Sequence, residues 1–199
     1  MKTIVFDFGG VLLDWNPKYL FKKILKDDIL VDKFLHETGF HQWNELTDAG
    51  VLFSEVAIQV EKKAPQWLDV WNEYQPRFLD SLVPISENIK LLEDLHQQGI
   101  PLYGLTNWSN ETFPMALSKY SFFSCFKDIL VSGKEKLIKP DVRIFNLMLN
   151  RFRLTPDKCF FLDDNLNNIK AAKSLGIYSH HVVNPAELRA DVYAWLDKN

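Results

Sequence analysis

The sequence has few cysteines, no excess of basic residues and no long apolar run. Its only two cysteines among 199 residues, Cys125 and Cys159, stand in apolar surroundings, as is typical of reduced, buried thiols. Lys and Arg number 23 against 26 Asp and Glu, which gives a net charge of −3, and the basic residues are scattered. This balance does not favour binding to nucleic acid or to an anionic membrane, and we expect neither as a partner.

Two further absences bear on the expected location of the protein. No stretch approaches the ~20 apolar residues that a membrane span requires. The first apolar run is short and is interrupted by Asp7, unlike a signal peptide. We therefore expect a cytoplasmic protein. A composition of 47% hydrophobic and 25% charged residues is sufficient for a sizeable core.

Predicted strands and helices alternate from about residue 86 onward. The helix after Ser86, a candidate N-cap, should end before Gly99, and apolar runs such as IPLYGL, DILV and CFFL follow at regular intervals between helical patterns. A further strand is predicted over residues 2–8. Alternation with nearly continuous apolar strands predicts the α/β class, a Rossmann-like parallel sheet with helices on both faces.

Residues 16–83 interrupt this alternation. They carry helical periodicity, as in YLFKKIL, VDKFLHETG and FSEVAIQVEKK, without strand-like runs. We therefore predict a core made of residues 1–15 and 84–199, and a small α-helical subdomain, residues 16–83, inserted after the first strand.

Polar side chains follow the predicted strands, and the carboxyl ends of parallel strands are where open α/β sheets bind ligands. Three carboxylates close together repel one another unless a cation joins them, and hard oxygen ligands suit Mg²⁺. An ammonium and a hydroxyl could bind the oxygens of a phosphate, and small glycines let loop N–H groups approach an anion. The pattern predicts phosphoryl transfer with attack by one carboxylate. The residues at the strand ends are Asp7, Gly9, Gly10, Thr106, Asn107, Ser132, Lys139, Asp163 and Asp164.

These segments resemble, in order, the four motifs of the haloacid dehalogenase (HAD) superfamily. FDFGGVLLD at 6–14 is similar to motif I, LTN at 105–107 to motif II, KP at 139–140 to motif III, and FLDDNLNNI at 161–169 to motif IV. The resemblance is to the branch with a helical cap inserted after the first strand. Within that branch it points to small bacterial sugar-phosphate phosphatases of the α-D-glucose-1-phosphate phosphatase type.

The resemblance implies a role for each matching residue. Asp7 would be the nucleophile, forming an aspartyl-phosphate, and also a ligand of the cofactor Mg²⁺. Thr106 would hydrogen-bond the transferring phosphoryl group, assisted by the backbone N–H of Asn107. Lys139 would neutralise charge on both the nucleophile and the phosphate.

The implied metal site adds three groups to Asp7. Asp164 would bind the metal directly, Asp163 would be a ligand or the partner of one, and the backbone carbonyl of Gly9 would be a further ligand. Asn168 stands where many relatives have another acid, so a water-mediated contact with the metal would either be weaker there or be replaced by an amide oxygen.

Position 9 departs from the pattern of the family. Most family phosphatases have Asp there as general acid and base, a function typically worth ~10²–10⁴ in rate that Gly9 cannot supply. The proton would then come from the substrate, from water or from a residue of the cap. Among cap residues, Trp43 and Asn44 are our candidates for substrate contacts.

We therefore predict a Mg²⁺-dependent phosphatase acting on a small phosphomonoester, with a sugar phosphate as the favoured class. One alternative is a 2-haloacid dehalogenase, which attacks carbon without a metal, although the paired acids Asp163 and Asp164 argue against it. Another is a catalytically weakened HAD-like binding protein, for which Gly9 is the argument. The expected partner is a small phosphorylated metabolite, and the sequence leaves monomer or homodimer open.

Overall fold

The computed structural model describes residues 1–198, which form a central parallel sheet with helices around it. Its sheet order is β5-β4-β1-β6-β7, and all four pairings within it are parallel. The remaining two strands, β2 and β3, form a separate antiparallel pair. In chain order, the strands are β1 (Thr3–Phe6), β2 (Leu13–Trp15), β3 (Leu82–Pro84), β4 (Leu102–Thr106), β5 (Asp128–Val131), β6 (Cys159–Asp163) and β7 (Tyr178–His181).

The helices fall into two groups, one between β2 and β3 and one that alternates with the strands of the sheet. The first group is α1 (Pro17–Leu25), α2 (Asp28–Thr38), α3 (Phe40–Asp48), α4 (Phe53–Lys63) and α5 (Leu68–Asn72). The second is α6 (Ser86–Gln97), α7 (Phe113–Lys119), α8 (Ser132–Glu135), α9 (Val142–Phe152), α10 (Leu166–Ser174) and α11 (Pro185–Leu196). The predicted α/β class with a parallel sheet is confirmed.

Both faces of the sheet are covered, which explains the continuous apolar strands. In β1 every residue is buried, and successive side chains enter opposite cores. Val5 belongs to the core formed with α9 and α10, which contribute Phe145 and Ile169. Ile4 and Phe6 belong to the core on the other face.

The second core extends from the sheet into the helical segment of residues 16–83. It contains Leu92 of α6 and Val192 of α11, and it continues through aromatic side chains of the segment such as Phe21, Phe34 and Phe40. The 4.4 Å separation of the Phe21 and Phe34 ring centroids is typical of close aromatic packing. The segment is therefore packed through a shared apolar core.

The antiparallel pair β2–β3 lies where the chain leaves and re-enters the α/β core. Leu13 pairs with Pro84, and Trp15 pairs with Leu82. The five helices α1–α5 lie between these two strands along the chain. The division into a core and a subdomain at residues 15 and 84 stays a prediction, and the pairing gives it a structural counterpart.

Local signals at the ends of α6 are partly confirmed. Gly99 adopts the left-handed φ of +74° just after the helix, as predicted. The prediction that Ser86 is the N-cap is wrong by one residue, because the helix begins at Ser86 and Ile85 is the N-cap. Ile85 has no side-chain oxygen, so the first turn has no side-chain cap hydrogen bond.

The two cysteines differ in exposure. Cys159 is buried and Cys125 is half-buried. Burial raises the pKa of the Cys159 thiol to about 12, which keeps it protonated and unreactive. Separately, no helix within residues 1–198 has the length and apolar character required to cross a membrane.

Phe145→Ala tests the packing of α9 on the sheet. Phe145 is fully buried and its ring meets that of Phe161 edge-on at 5.4 Å. Truncation should lower the free energy of unfolding by about 3–5 kcal/mol. Val142→Ala, at an exposed position of the same helix, should cost less than ~1 kcal/mol. Urea denaturation followed by circular dichroism measures both, and equal losses would contradict this account of the core.

Candidate active site

Adjacent strand ends bring the predicted acids together. Strand β1 lies between β4 and β6, so Asp7, which follows β1, has Thr106 at the end of one neighbour and Asp163 at the end of the other. Carboxylate oxygens of Asp7, Asp163 and Asp164 lie within 4.8 Å of one another. Residues distant in the sequence thus form one acidic cluster.

Lys139 is the central cation of this cluster. Its Nζ lies 2.9 Å from Asp7 Oδ1 and 2.7 Å from Asp163 Oδ2, and it donates to the Leu105 carbonyl at 3.1 Å. These contacts use all three N–H donors of the ammonium, and the Lys139 residue is only 3% exposed. Burial alone would lower the pKa of Lys139, but the charges of Asp163 and Asp7 outweigh it and raise that pKa.

The side chain of Asn107 fixes the backbone of Lys139. Asn107 Nδ2 donates to the Lys139 carbonyl at 3.0 Å, and the Lys139 N–H donates to Asn107 Oδ1 at 2.8 Å. The Lys139–Pro140 peptide bond is cis. From the sequence, only the backbone N–H of Asn107 had an expected role. In the structure its amide holds the loop that carries the lysine.

Asp7 presents one oxygen to the protein and the other to a cavity. Oδ1 accepts hydrogen bonds from the Phe8 N–H at 2.7 Å and from Lys139. Oδ2 accepts none from the described residues and is not enclosed. Burial raises the pKa of Asp7 well above its usual range, and Lys139 opposes that rise. A nearby cation would favour the ionised form.

Asp163 and Asp164 have different surroundings. Asp163 is buried and accepts hydrogen bonds from Lys139, from the Asn165 N–H and from Asn168 Nδ2. Asp164 is exposed and lines the cavity beside Asp7. Partial desolvation and the charge of Asp163 raise the pKa of Asp164. Asp163 thus orients Lys139, while Asp164 offers its carboxylate to a ligand.

The residues present fit a Mg²⁺ ion. One ammonium faces three carboxylates, so the cluster retains an excess of negative charge. Within residues 1–198, one buried side-chain polar atom has no hydrogen-bond partner, Asn168 Oδ1, and Asn168 also lines the cavity. An unpaired buried oxygen costs about 1–3 kcal/mol. Carboxylate and amide oxygens are hard ligands, so a divalent cation here would relieve both costs.

The two glycines after Asp7 have different structural reasons. Gly10 has a φ of +67°, and a Cβ atom there would lie 2.2 Å from Asp164 Oδ2. A Cβ at Gly9 would meet no heavy atom within 4 Å. The Gly10 N–H donates to the Leu13 carbonyl, so it is not the free anion donor that the sequence suggested. The close approach of Asp164 instead requires Gly10.

Two cavities adjoin at Gly9. The acidic cavity, about 300 Å³, is lined by Asp7, Lys139, Asp164 and Asn168 among others. The interface cavity, about 100 Å³, lies between the helical segment and the sheet and is lined by residues such as Asn44, Asp48, Phe78 and Trp108. The linings of both cavities include Gly9, Trp15 and Asn107.

The remaining predicted site residues have different surroundings. Thr106 is buried at the end of β4, beside β1. Asn44 lines the interface cavity. Trp43 lines neither cavity. Its indole Nε1 donates to the Thr38 carbonyl at 2.6 Å, and the ring packs against the apolar core.

Sequence reasoning missed Asp48, the last residue of α3. It lines the interface cavity, and Asn44 Nδ2 donates to its Oδ2 at 3.1 Å. Burial raises the pKa of Asp48 to about 8, and the charge of Glu45 adds to that rise. The spacing of four residues from Asn44 places both side chains on one helix face, but nothing local marks Asp48 as different from other acids.

Comparison with known proteins identifies the class that this geometry suggests. The family model for haloacid dehalogenase-like hydrolases matches residues 4–182. The chain belongs to this family, as the four motifs predicted, and it is a hydrolase of the HAD type.

Similar proteins include curated phosphatases and solved structures of two kinds. A D-ribitol-5-phosphate phosphatase of Bacteroides thetaiotaomicron is 28% identical over 214 residues, covering 99% of each chain. A HAD family enzyme of the same organism, solved in complex with magnesium and inorganic phosphate, superposes with a TM-score of 0.65 at 21% identity, covering 90% of this chain and 93% of its own. A dehalogenase structure gives a TM-score of 0.70 at 18% identity, covering 100% and 98%. The two structures share the fold with this chain, and the fold alone does not separate their activities.

Gly10→Ala and Gly9→Ala form a matched pair that tests the packing of the loop. Alanine at Gly10 must adopt a positive φ, which costs roughly 1–2 kcal/mol, and must displace the carboxylate of Asp164. Alanine at Gly9 meets open space, so the change in stability should stay within about 1 kcal/mol. Urea denaturation gives both values. Similar stability of the two variants would mean that Asp164 does not approach Gly10 as described.

Lys139→Met tests the charge balance of the cluster. Removing the ammonium leaves Asp7 and Asp163 buried without their shared partner, which should cost about 3–5 kcal/mol of stability. Lys134→Met changes an exposed lysine of α8 and should cost less than ~0.5 kcal/mol. Both are measured by denaturation in the absence of divalent cations. An unchanged midpoint for Lys139→Met would rule out a stabilising ion pair.

Proposed function

We propose that this protein is a Mg²⁺-dependent phosphatase that hydrolyses a small phosphomonoester, a sugar phosphate in particular, through an aspartyl-phosphate on Asp7. The observation that carries the proposal is the arrangement around Lys139, with Asp7 on one side of the ammonium and Asp163 on the other. Such a centre combines a carboxylate nucleophile with a fixed positive charge beside it.

Asp7 is the proposed nucleophile because Oδ2 is open to the acidic cavity while Oδ1 is held by the protein. Attack of Oδ2 on phosphorus forms the aspartyl-phosphate and breaks the bond to the leaving oxygen. Water then attacks phosphorus, which releases inorganic phosphate and restores the Asp7 carboxylate. Phe8 and Lys139 each donate a hydrogen bond to Oδ1, and these bonds keep the carboxylate in one orientation during both steps.

Lys139 would neutralise negative charge on the nucleophile and on the phosphoryl oxygens. Its position is set by Asp163 and by the Asn107 amide, so the charge is oriented before substrate binds. The hydroxyl of Thr106, at the end of the neighbouring strand, is the proposed donor to the phosphoryl group, with the backbone N–H of Asn107 beside it. Asn44 is the remaining candidate for contact with the rest of the substrate, through the interface cavity.

Mg²⁺ would supply positive charge that screens the carboxylates from the incoming phosphate and polarises the phosphoryl group. The groups proposed to hold it are the carboxylates of Asp7 and Asp164 and the backbone carbonyl of Gly9. Asp163 completes the cluster of three carboxylates, and Asn168 Oδ1 offers an additional oxygen. The donor set consists of hard oxygen ligands, as Mg²⁺ prefers.

The proposed substrate class rests on relatives and on size. The similar D-ribitol-5-phosphate phosphatase is named for a phosphorylated polyol. The acidic cavity of about 300 Å³ is at the small end of the range for ligand pockets. Both observations favour a small phosphorylated metabolite over a macromolecular substrate.

A 2-haloacid dehalogenase is the second candidate, because Gly9 lacks the carboxylate of most family phosphatases and a dehalogenase shares the fold. Such an enzyme attacks carbon and needs no metal. The acid cluster and the unpaired Asn168 oxygen favour a cation, and therefore the phosphatase.

Release of inorganic phosphate from a panel of sugar phosphates and nucleotides tests the proposal. We expect release with Mg²⁺ and a fall to background with excess EDTA, because the carboxylates alone would repel the substrate. Asp7→Asn keeps the shape of the side chain but removes the nucleophile, so it should also be inactive. Asp157→Asn is the matched control. It changes an exposed residue of the α/β part of the chain and should retain full activity.

Other outcomes of the screen identify the alternatives. Halide release from 2-chloropropionate that EDTA does not affect would replace the phosphatase with a dehalogenase. Absence of both activities, with retained binding of inorganic phosphate, would indicate a binding protein.

A further inference from the structure

The proton that Gly9 cannot supply requires another donor near the phosphate site. The space beside Gly9 is open, since a Cβ atom there would meet no heavy atom within 4 Å. Gly9 also lines both the acidic cavity and the interface cavity. A carboxyl group that enters the interface cavity from the helical segment would therefore face the same region from the opposite side.

We propose that Asp48 of α3 is the general acid and base of the hydrolysis, in place of the carboxylate missing at position 9. Asp48 is the carboxylic acid among the residues that line the interface cavity. This inference rests on the proposed phosphatase function and assigns the one step that function leaves open.

Two hydrogen bonds hold Asp48 directly, and a third supports one of its partners. Asn44 Nδ2 donates to its carboxylate, and the Tyr74 hydroxyl in turn donates to Asn44 Oδ1 at 2.7 Å. Ser132, at the end of β5, donates through Oγ to the Asp48 carbonyl at 2.5 Å. A strand-end hydroxyl thus fixes the end of α3 over the sheet, and Asp48 has the rigid support that a proton donor requires.

Glu111 strengthens the same docking. Its carboxylate accepts hydrogen bonds from the Phe53 N–H at 2.8 Å and from Gln75 Nε2 at 3.0 Å. Glu111 follows β4 in the chain, whereas Phe53 and Gln75 belong to the helical segment. The helical segment is therefore tied to the loop after β4 through Glu111 and to the residue directly after β5 through Ser132.

The environment of Asp48 favours a carboxyl group that is protonated near neutral pH. Burial is the main cause that raises its pKa to about 8, and Glu45 adds to it. The Ser109 backbone N–H and the charge of Lys139 act in the opposite direction. Asp48 also ends α3, where the helix dipole disfavours negative charge. A value near the working pH suits both donation and acceptance of a proton.

Asp48 donates one proton in the first step and recovers one in the second. As Asp7 attacks phosphorus, the bond to the leaving oxygen breaks and the Asp48 carboxyl gives that oxygen its proton. The Asp48 carboxylate then takes a proton from the attacking water as the phosphorus–Asp7 bond breaks. The products are the alcohol and inorganic phosphate, and Asp48 is protonated again.

Aryl phosphates of different leaving-group basicity distinguish this role from a structural one. Phenyl phosphate needs a proton on its leaving oxygen, whereas p-nitrophenyl phosphate releases a stable anion. In single-turnover experiments, Asp48→Asn should slow phenol release by about 10²–10⁴-fold and p-nitrophenolate release by less than about tenfold. Under multiple-turnover conditions with excess p-nitrophenyl phosphate, it should also show a burst and accumulate phosphoenzyme, because the second step lacks its base.

Two further variants complete the test. Asp69→Asn changes an exposed residue of the helical segment and should behave as wild type with both esters. Gly9→Asp in the Asp48→Asn background places a carboxylate in the open space and should recover phenol release by about tenfold or more. If asparagine at position 48 perturbs the thermal transition, Asp48→Ser repeats the comparison with a smaller side chain.

The outcomes separate the two proposals. Wild-type enzyme without Mg²⁺- and Asp7-dependent phosphate release would refute the phosphatase itself. An active wild type with Asp48→Asn unchanged, or slowed equally for both esters, would refute only the role of Asp48. Selective loss with the weak leaving group, reversed by Gly9→Asp, would establish it.

Discussion

The contact of the Lys139 ammonium with Asp7 and Asp163 is the interaction on which the site depends. Two buried carboxylates at adjacent strand ends would repel each other, and a shared cation 2.9 and 2.7 Å away makes their proximity tolerable. The sheet order supplies both acids, and the Asn107 amide fixes the loop that supplies the lysine. Such a centre is costly to assemble and therefore rigid once formed, as electrostatic preorganisation requires.

The helical segment adds a second set of lining residues next to this centre. Its helices share an apolar core with one face of the sheet, and hydrogen bonds of Ser132 and Glu111 tie the segment to the chain that follows β5 and β4. The interface cavity results from that docking, with Asp48 on the side of the helices and Gly9 on the side of the sheet. Core and helices thus contribute different chemistry to two adjoining cavities. The core places the nucleophile and the lysine in the acidic cavity, and α3 places a carboxyl group in the interface cavity.

Local sequence patterns were sufficient to predict most of the fold and the charged residues at the centre of the site. Continuous apolar strands indicated a sheet buried on both faces, and the strand-end positions identified Asp7, Lys139, Asp163 and Asp164, which do meet. The exact start of a helix was less accessible. Ile85 took the N-cap position expected of Ser86, since the helical backbone already begins at Ser86.

The sequence by itself determined that a hydrolase of the HAD family would place a carboxylate after its first strand and would lack one at position 9. Only the tertiary structure decided why Gly10 must be glycine, since the reason is Asp164, which lies 154 residues later in the chain. It also decided that Trp43 packs inside the helical segment while Asp48 faces Gly9 across a cavity. Such relations depend on how α3 docks on the sheet, and no local pattern encodes the contact between segments that meet only after folding.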